Sequence, residues 1–207
     1  MEASEEEFKN VFWVDVSVNI EGMLSKVSEF ERLCKGMPKT LKAWKAYDTL
    51  KSKIEDLIET VPLLQLLSNE SMQTRHWGQL EEVTGCRFCL DAEFKIKKLL
   101  AANLLAVSDD VEEISQTSSK ELAVSVKLEE IVAQWGKLQF GFGMYKGRQG
   151  SYIFKGGEAA ELQEVLEESL MVLGGMANSR YAIPFKPEVQ EWVNILSETG
   201  EVMERWL

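Results

Sequence analysis

A mostly α fold, an elongated array of helical hairpins and bundles with one inserted β-hairpin, is predicted by three features of this chain. Apolar residues recur at three- and four-residue steps over long stretches, which is the period of a helix with one buried face. Breakers are sparse: the first 60 residues contain only Gly22, Gly36 and Pro38. One short segment, residues 138–155, leaves the helical period for aromatic residues in alternation around a glycine-bounded turn.

The first helix is expected from about Ser4, with Glu5 to Glu7 favourable at the positive end of the helix dipole, to about Leu33. Its stripe holds Phe8, Val11, Phe12, Ile20, Met23, Leu24 and Phe30. Cys34 to Pro38 turns the chain, and a second helix opens near Thr40. That helix carries Leu41, Trp44, Tyr47, Leu50, Ile54, Leu57 and Ile58 until Pro62 interrupts or kinks it. Ser71 to Val83 predicts a further helix ending at Gly85, and Ser108-Asp109-Asp110 opens a longer one running to Trp135. A helix of that length extends roughly 40 Å at about 1.5 Å per residue. Phe140, Phe142, Tyr152 and Phe154, with Gly147-Arg148-Gln149-Gly150 between them, predict the two-stranded hairpin. Helical spacing resumes at Glu158 and runs to Gly174-Gly175. A last helix begins at Pro187 and carries Val189, Trp192, Ile195, Leu196, Val202 and Trp206. It reaches the final residue without a capping signal, as expected of a chain that continues in the native protein. No fixed-period repeat or low-complexity linker interrupts this order. The expected division is a helical subdomain over residues 1–90 and a second over 91–207, with the hairpin near 138–155.

Composition excludes several classes of partner. The 207 residues, 45% of them hydrophobic, can bury a core without disulfides. A net charge of −11 repels nucleic acid and acidic membrane surfaces, and no run of apolar residues is long enough for a membrane span. Three cysteines and an acidic start, where a signal peptide would be basic, fit a reducing cytoplasmic compartment.

Features that invite a catalytic reading have simpler explanations. Cys86-x-x-Cys89 has the spacing of half a zinc site, which Cys34 and His76 would complete, but the second knuckle is missing and bulky Phe88 fills the loop. Gly141 to Gly147 lacks the Gly-Lys-Ser/Thr ending of a phosphate loop and precedes no helix. His76 has no nucleophile or carboxylate at a suggestive spacing. The acidic pairs Glu81-Glu82 and Glu112-Glu113 fit solvated helix faces. No catalytic, metal or cofactor-binding residue is assigned.

Pro62-Leu63-Leu64, then Arg75-His76-Trp77 followed by Thr84-Gly85, resembles the N-terminal part of the linker of a dynein heavy chain. Lys120-Glu121, Val124, Leu128, Ile131 and Trp135 resemble a further family segment, in which Ser125 departs from the usual acid. Asn178-Ser179-Arg180-Tyr181, Pro184-Phe185, Trp192, Leu196 and Trp206 resemble the closing stretch. The run Glu168 to Gly174, and Arg180-Tyr181-x-x-Pro184-Phe185-Lys186, are more similar to ciliary outer-arm heavy chains than to the cytoplasmic form.

The resemblance implies a helical lever that lies across an AAA+ ring of the same heavy chain and converts its ATP cycle into a power stroke along a microtubule. It implies that ATP and magnesium act in modules C-terminal to Leu207, that other dynein subunits are reached through the adjoining tail, and that this segment makes no direct microtubule contact. It also implies the cytoskeleton of a ciliary or flagellar axoneme. From the residues themselves, six tryptophans suit the locking of helices, and Phe140, Phe142, Tyr145 and Tyr152 are candidates for a removable contact with the ring. Arg75, His76, Trp77, Trp135 and Trp192 are expected to be structural. A passive helical scaffold that tethers partner chains without bending stays open as the alternative, as does a small metal- or thiol-dependent enzyme.

Overall fold

The computed structural model describes residues 2–91, 93–150 and 152–206. Among them the chain is mostly α-helical with one antiparallel β-hairpin. It divides into two compact units, Met1–Ser119 and Lys120–Leu207. This division falls inside a helix and lies later than the expected boundary after residue 90. The segment before the long helix Ser108–Trp135 and the first turns of that helix account for the difference, because Phe94, Ile96, Leu99, Leu104, Val111 and Ile114 are buried in the core of the first unit.

The first unit holds α1 (Glu2–Lys9), α2 (Val16–Lys35), α3 (Lys39–Lys42), α4 (Lys45–Leu67), α5 (Thr74–Thr84), α6 (Ile96–Ala101) and the start of α7 (Ser108–Trp135). Helices α2 and α4 form the expected hairpin, burying Val16, Ile20, Met23 and Val27 with Val61, Leu64 and Leu67. The expected first helix is broken into α1 and α2; the capping role assigned to Ser4 and Glu5 lies outside the described side chains. The break has a long-range cause. Backbone N–H of Trp13 donates to the Phe94 carbonyl at 2.7 Å, and that of Ile96 donates to the Val11 carbonyl at 3.2 Å. Phe12 thereby forms an isolated bridge with Lys95 and is itself extended, and a 3-10 turn over Trp13–Asp15 then leads into α2. A similar correction applies at residues 43–44, where extended Trp44 separates α3 from α4. Pro62 does not end α4, which continues to Leu67. Its ring is exposed, so the Ile58 carbonyl that loses a donor faces the solvated side.

Helix α5 ends at Gly85 as expected, with the glycine left-handed at φ 67°, a conformation that costs other residues more. Four aromatic rings then close the lower core: Trp77 stands edge-on to Trp13 at 5.4 Å, to Phe88 at 6.1 Å and to Phe94 at 6.5 Å. Helix α7 is held to this unit by hydroxyls as well as apolar groups. Ser71 Oγ and Ser118 Oγ lie 2.8 Å apart, and Ser115 Oγ donates to the Leu66 carbonyl at 3.2 Å.

The second unit takes the rest of α7, then β1 (Phe142–Met144), β2 (Tyr152–Phe154), α8 (Gly156–Ala177), a 3-10 segment over Arg180–Phe185 and α9 (Lys186–Trp206). Helices α8 and α9 pack closely: a Cβ on Gly200 would lie 3.3 Å from Leu166. Leu128, Ile131, Leu173, Met176, Val189 and Leu196 form one cluster. Phe154, Ala159, Leu162, Leu166 and Met203 form another beneath the hairpin. Helix α8 continues through Gly174-Gly175, where the helical spacing was expected to end; Leu173 and Met176 on either side are both buried, and that packing outweighs the cost of two helical glycines.

Candidate docking groove

The hairpin's register pairs Phe142 with Phe154, Gly143 with Ile153 and Met144 with Tyr152. Alternation puts Phe142 and Phe154 on the same face, and their rings stack at 4.8 Å. Phe140 extends this face, with its ring 5.6 Å from Phe154. The strand before the turn is set close to α8: a Cβ on Gly141 would collide with the Glu158 carboxylate, whose partner Lys155 lies 3.0 Å away.

Helix α9 supplies the opposing wall. Its buried stripe is Val189, Leu196 and Met203, at heptad spacing. A second stripe, Ile195, Thr199, Val202 and Trp206, lies beside it at steps of four, three and four, and its apolar members remain 42%, 51% and 49% exposed. Trp206 meets Phe142 edge-on at 5.8 Å and Phe154 at 6.1 Å. Hairpin and helix together line an open groove of about 410 Å³, with Glu198 as its only charged lining residue among the described residues. The floor is therefore apolar and the margin acidic.

Of the four aromatic residues singled out from sequence, the structure brings Phe140 and Phe142 into this groove, 43% and 47% exposed. Tyr145 and Tyr152 are exposed but stand nearer the hairpin tip, outside the lining; Lys146 covers the Tyr145 ring at 5.1 Å. Phe154, Ile195, Val202 and Trp206 were not assigned to a site from sequence. For the last three the signal was present in the second stripe of α9, which the expected helix merged with the core stripe.

The other singled-out residues occupy cores or caps. His76 is buried, and its Nδ1 accepts the backbone N–H of Gln73 at 3.1 Å, closing the start of α5. Arg75 donates to the Gln73 side-chain oxygen. Trp77 sits in the four-ring cluster described above. Trp135 Nε1 donates to Ser169 Oγ at 3.0 Å, tying α7 to α8, and Trp192 is half-buried against the second unit's core. The tryptophans are not uniform locks, because Trp44 is 63% exposed. Cys34 is buried, Cys86 half-buried and Cys89 exposed, and among the described residues no three His, Cys, Asp or Glu side chains gather as a metal-binding group. Residues 141–147 form a strand and turn leading to β2, not to a helix. No described helix is long and apolar enough to cross a membrane.

Tyr181 forms a separate polar cluster. Lys120 Nζ at 3.0 Å and Arg180 at 2.6 Å both donate to its hydroxyl oxygen, and these two cations, Lys120 foremost, hold the phenol below its ordinary pKa.

Residues 1–207 match the family model described as dynein heavy chain, N-terminal region 2. The chain is 36% identical over 201 residues to dynein axonemal heavy chain 8 of Homo sapiens and 39% identical to the dynein gamma chain of the flagellar outer arm of Chlamydomonas reinhardtii. Dynein axonemal heavy chain 5 of Mus musculus is 32% identical. Each comparison covers 97% of this chain but only 4% of the relative's length.

Proposed function

Because this chain belongs to the dynein heavy chain N-terminal region 2 family, we propose that it is a linker segment, a mechanical lever of an axonemal motor. The segment is an N-terminal region and not the AAA+ motor domain. In this reading ATP and magnesium act in a ring elsewhere in the heavy chain, and the helical units carry the ring's conformational change toward the tail. Microtubule contact also lies elsewhere, and the setting is a cilium or flagellum. The observation that carries the reading is a match over the whole chain to axonemal heavy chains. The packing is consistent with it, since each unit has its own buried core fastened by interlocked aromatics and hydrogen-bonded helices.

A lever that is released and recaptured needs a contact weaker than its own core, and the hairpin's exposed aromatic face beside α9 has that character. Replacing Phe142 and Tyr152 with serine in the complete motor is expected to lower microtubule gliding velocity severalfold while ATP hydrolysis persists. Unchanged velocity with intact ring contacts would reject the hairpin as the docking site and favour a passive tether.

A further inference from the structure

We propose that the groove between the β-hairpin and α9 receives an amphipathic α-helix that buries an apolar stripe and carries Lys or Arg along one edge. The proposal deepens the docking role assigned above and rests on it. It names the chemistry of the element that docks.

The shape favours a helix. The exposed stripe of α9 runs from Ile195 to Trp206, about 16 Å at ~1.5 Å per residue, or three helical turns. A partner helix lying along it would present residues at matching steps of three and four, the usual way one helix occupies an apolar groove. Strand addition is less suited, because β1 and β2 are three residues each and their edges offer few main-chain hydrogen bonds. The aromatic wall is already ordered by mutual stacking of Phe142, Phe154 and Trp206, so little side-chain freedom would be lost on binding.

Charge decides the partner's edge. Glu198 lines the groove, and Glu191 lies one heptad before it on the same outward edge of α9; both are exposed. Across the groove, Lys155 and Glu158 already neutralise one another at 3.0 Å. At the tip Lys146 rests on the Tyr145 ring, and at the end of α9 Arg205 lies 3.6 Å from Glu201. Glu198, the one charged lining residue among the described residues, therefore sets the sign, with Glu191 continuing the same edge of α9 beyond the lining and the chain as a whole at net charge −11. An acidic helix would meet repulsion there.

A displayed library of amphipathic helices, with a fixed apolar stripe and randomised flanks, tests this against the 207-residue chain. Binders are expected to be enriched in Lys and Arg on one flank and to compete for one site. The Glu191→Lys, Glu198→Lys double variant, both changes being at exposed positions, should bind them about tenfold more weakly and select acidic flanks instead. Circular dichroism of that variant confirms that its fold is retained. Acidic or unbiased flanks on the unaltered chain, binding indifferent to the double variant, or the absence of any binder would overturn the proposal. These outcomes are read without motility, so they are distinct from a failure of the lever reading in the gliding experiment.

Discussion

Trp77 and Trp44 carry the same side chain into opposite surroundings, and the difference sets what each contributes. Trp77 is 5% exposed and touches three other rings, whereas Trp44 is 63% exposed at the start of α4. Trp77→Ala should destabilise the chain by about 3–5 kcal/mol, and Trp44→Ala by no more than about 0.5 kcal/mol, read from urea unfolding midpoints. Equal losses would contradict the packing described. Tyrosine ionisation gives a second test. Lys120 and then Arg180 lower the Tyr181 pKa, while partial burial and then the Cys34 thiol raise that of Tyr47. The folded chain thus favours the Tyr181 phenolate: its contribution to stability is absent at low pH, grows as pH rises through the depressed folded value and is complete above the ordinary tyrosine value. In an ultraviolet absorbance titration Tyr181 should ionise before Tyr47, and Tyr181→Phe should remove that earlier phase. An unchanged early phase would refute the assignment.

At the scale of elements, Pro62 is the most informative position. Helix α4 passes through it because the ring faces solvent and the flanking Val61, Leu63 and Leu64 are buried on the other side. Interior proline costs a helix about 3 kcal/mol, and its rigidity in the unfolded chain returns at most about 1 kcal/mol. Pro62→Ala should therefore raise stability by about 1–2 kcal/mol, seen as a higher urea midpoint with an unchanged slope. A lower midpoint would mean that the proline shapes the helix in a way the packing does not reveal. Elements set by local chemistry were legible in the sequence. The Ser108-Asp109-Asp110 start and Trp135 end of α7, the left-handed Gly85 and the hairpin around its glycine turn all stand where their residues predict. Elements set by distant partners were not. The break between α1 and α2 depends on pairing of residues 11–13 with residues 94–96, and nothing within the first 20 residues announces it. The groove was half legible: Phe140 and Phe142 were singled out, but Ile195, Val202 and Trp206 became distinct from the core stripe only once the angle of α9 was fixed.

For the molecule as a whole, the family assignment covers the full chain while the chain spans 4% of the length of its axonemal relatives, and in the proposed reading it is one part of a larger motor. A lever and a passive tether use the same buried cores and differ in whether the groove-bearing unit changes position during the ATP cycle. The direct measurement is resonance energy transfer in the complete motor between a donor at the hairpin tip, Gln149, and an acceptor on the AAA+ ring. The lever account predicts that the transfer efficiency alternates between values as nucleotide binds and leaves, and that substitutions in the groove abolish one of those values. A constant efficiency while the ring continues to hydrolyse ATP would contradict it.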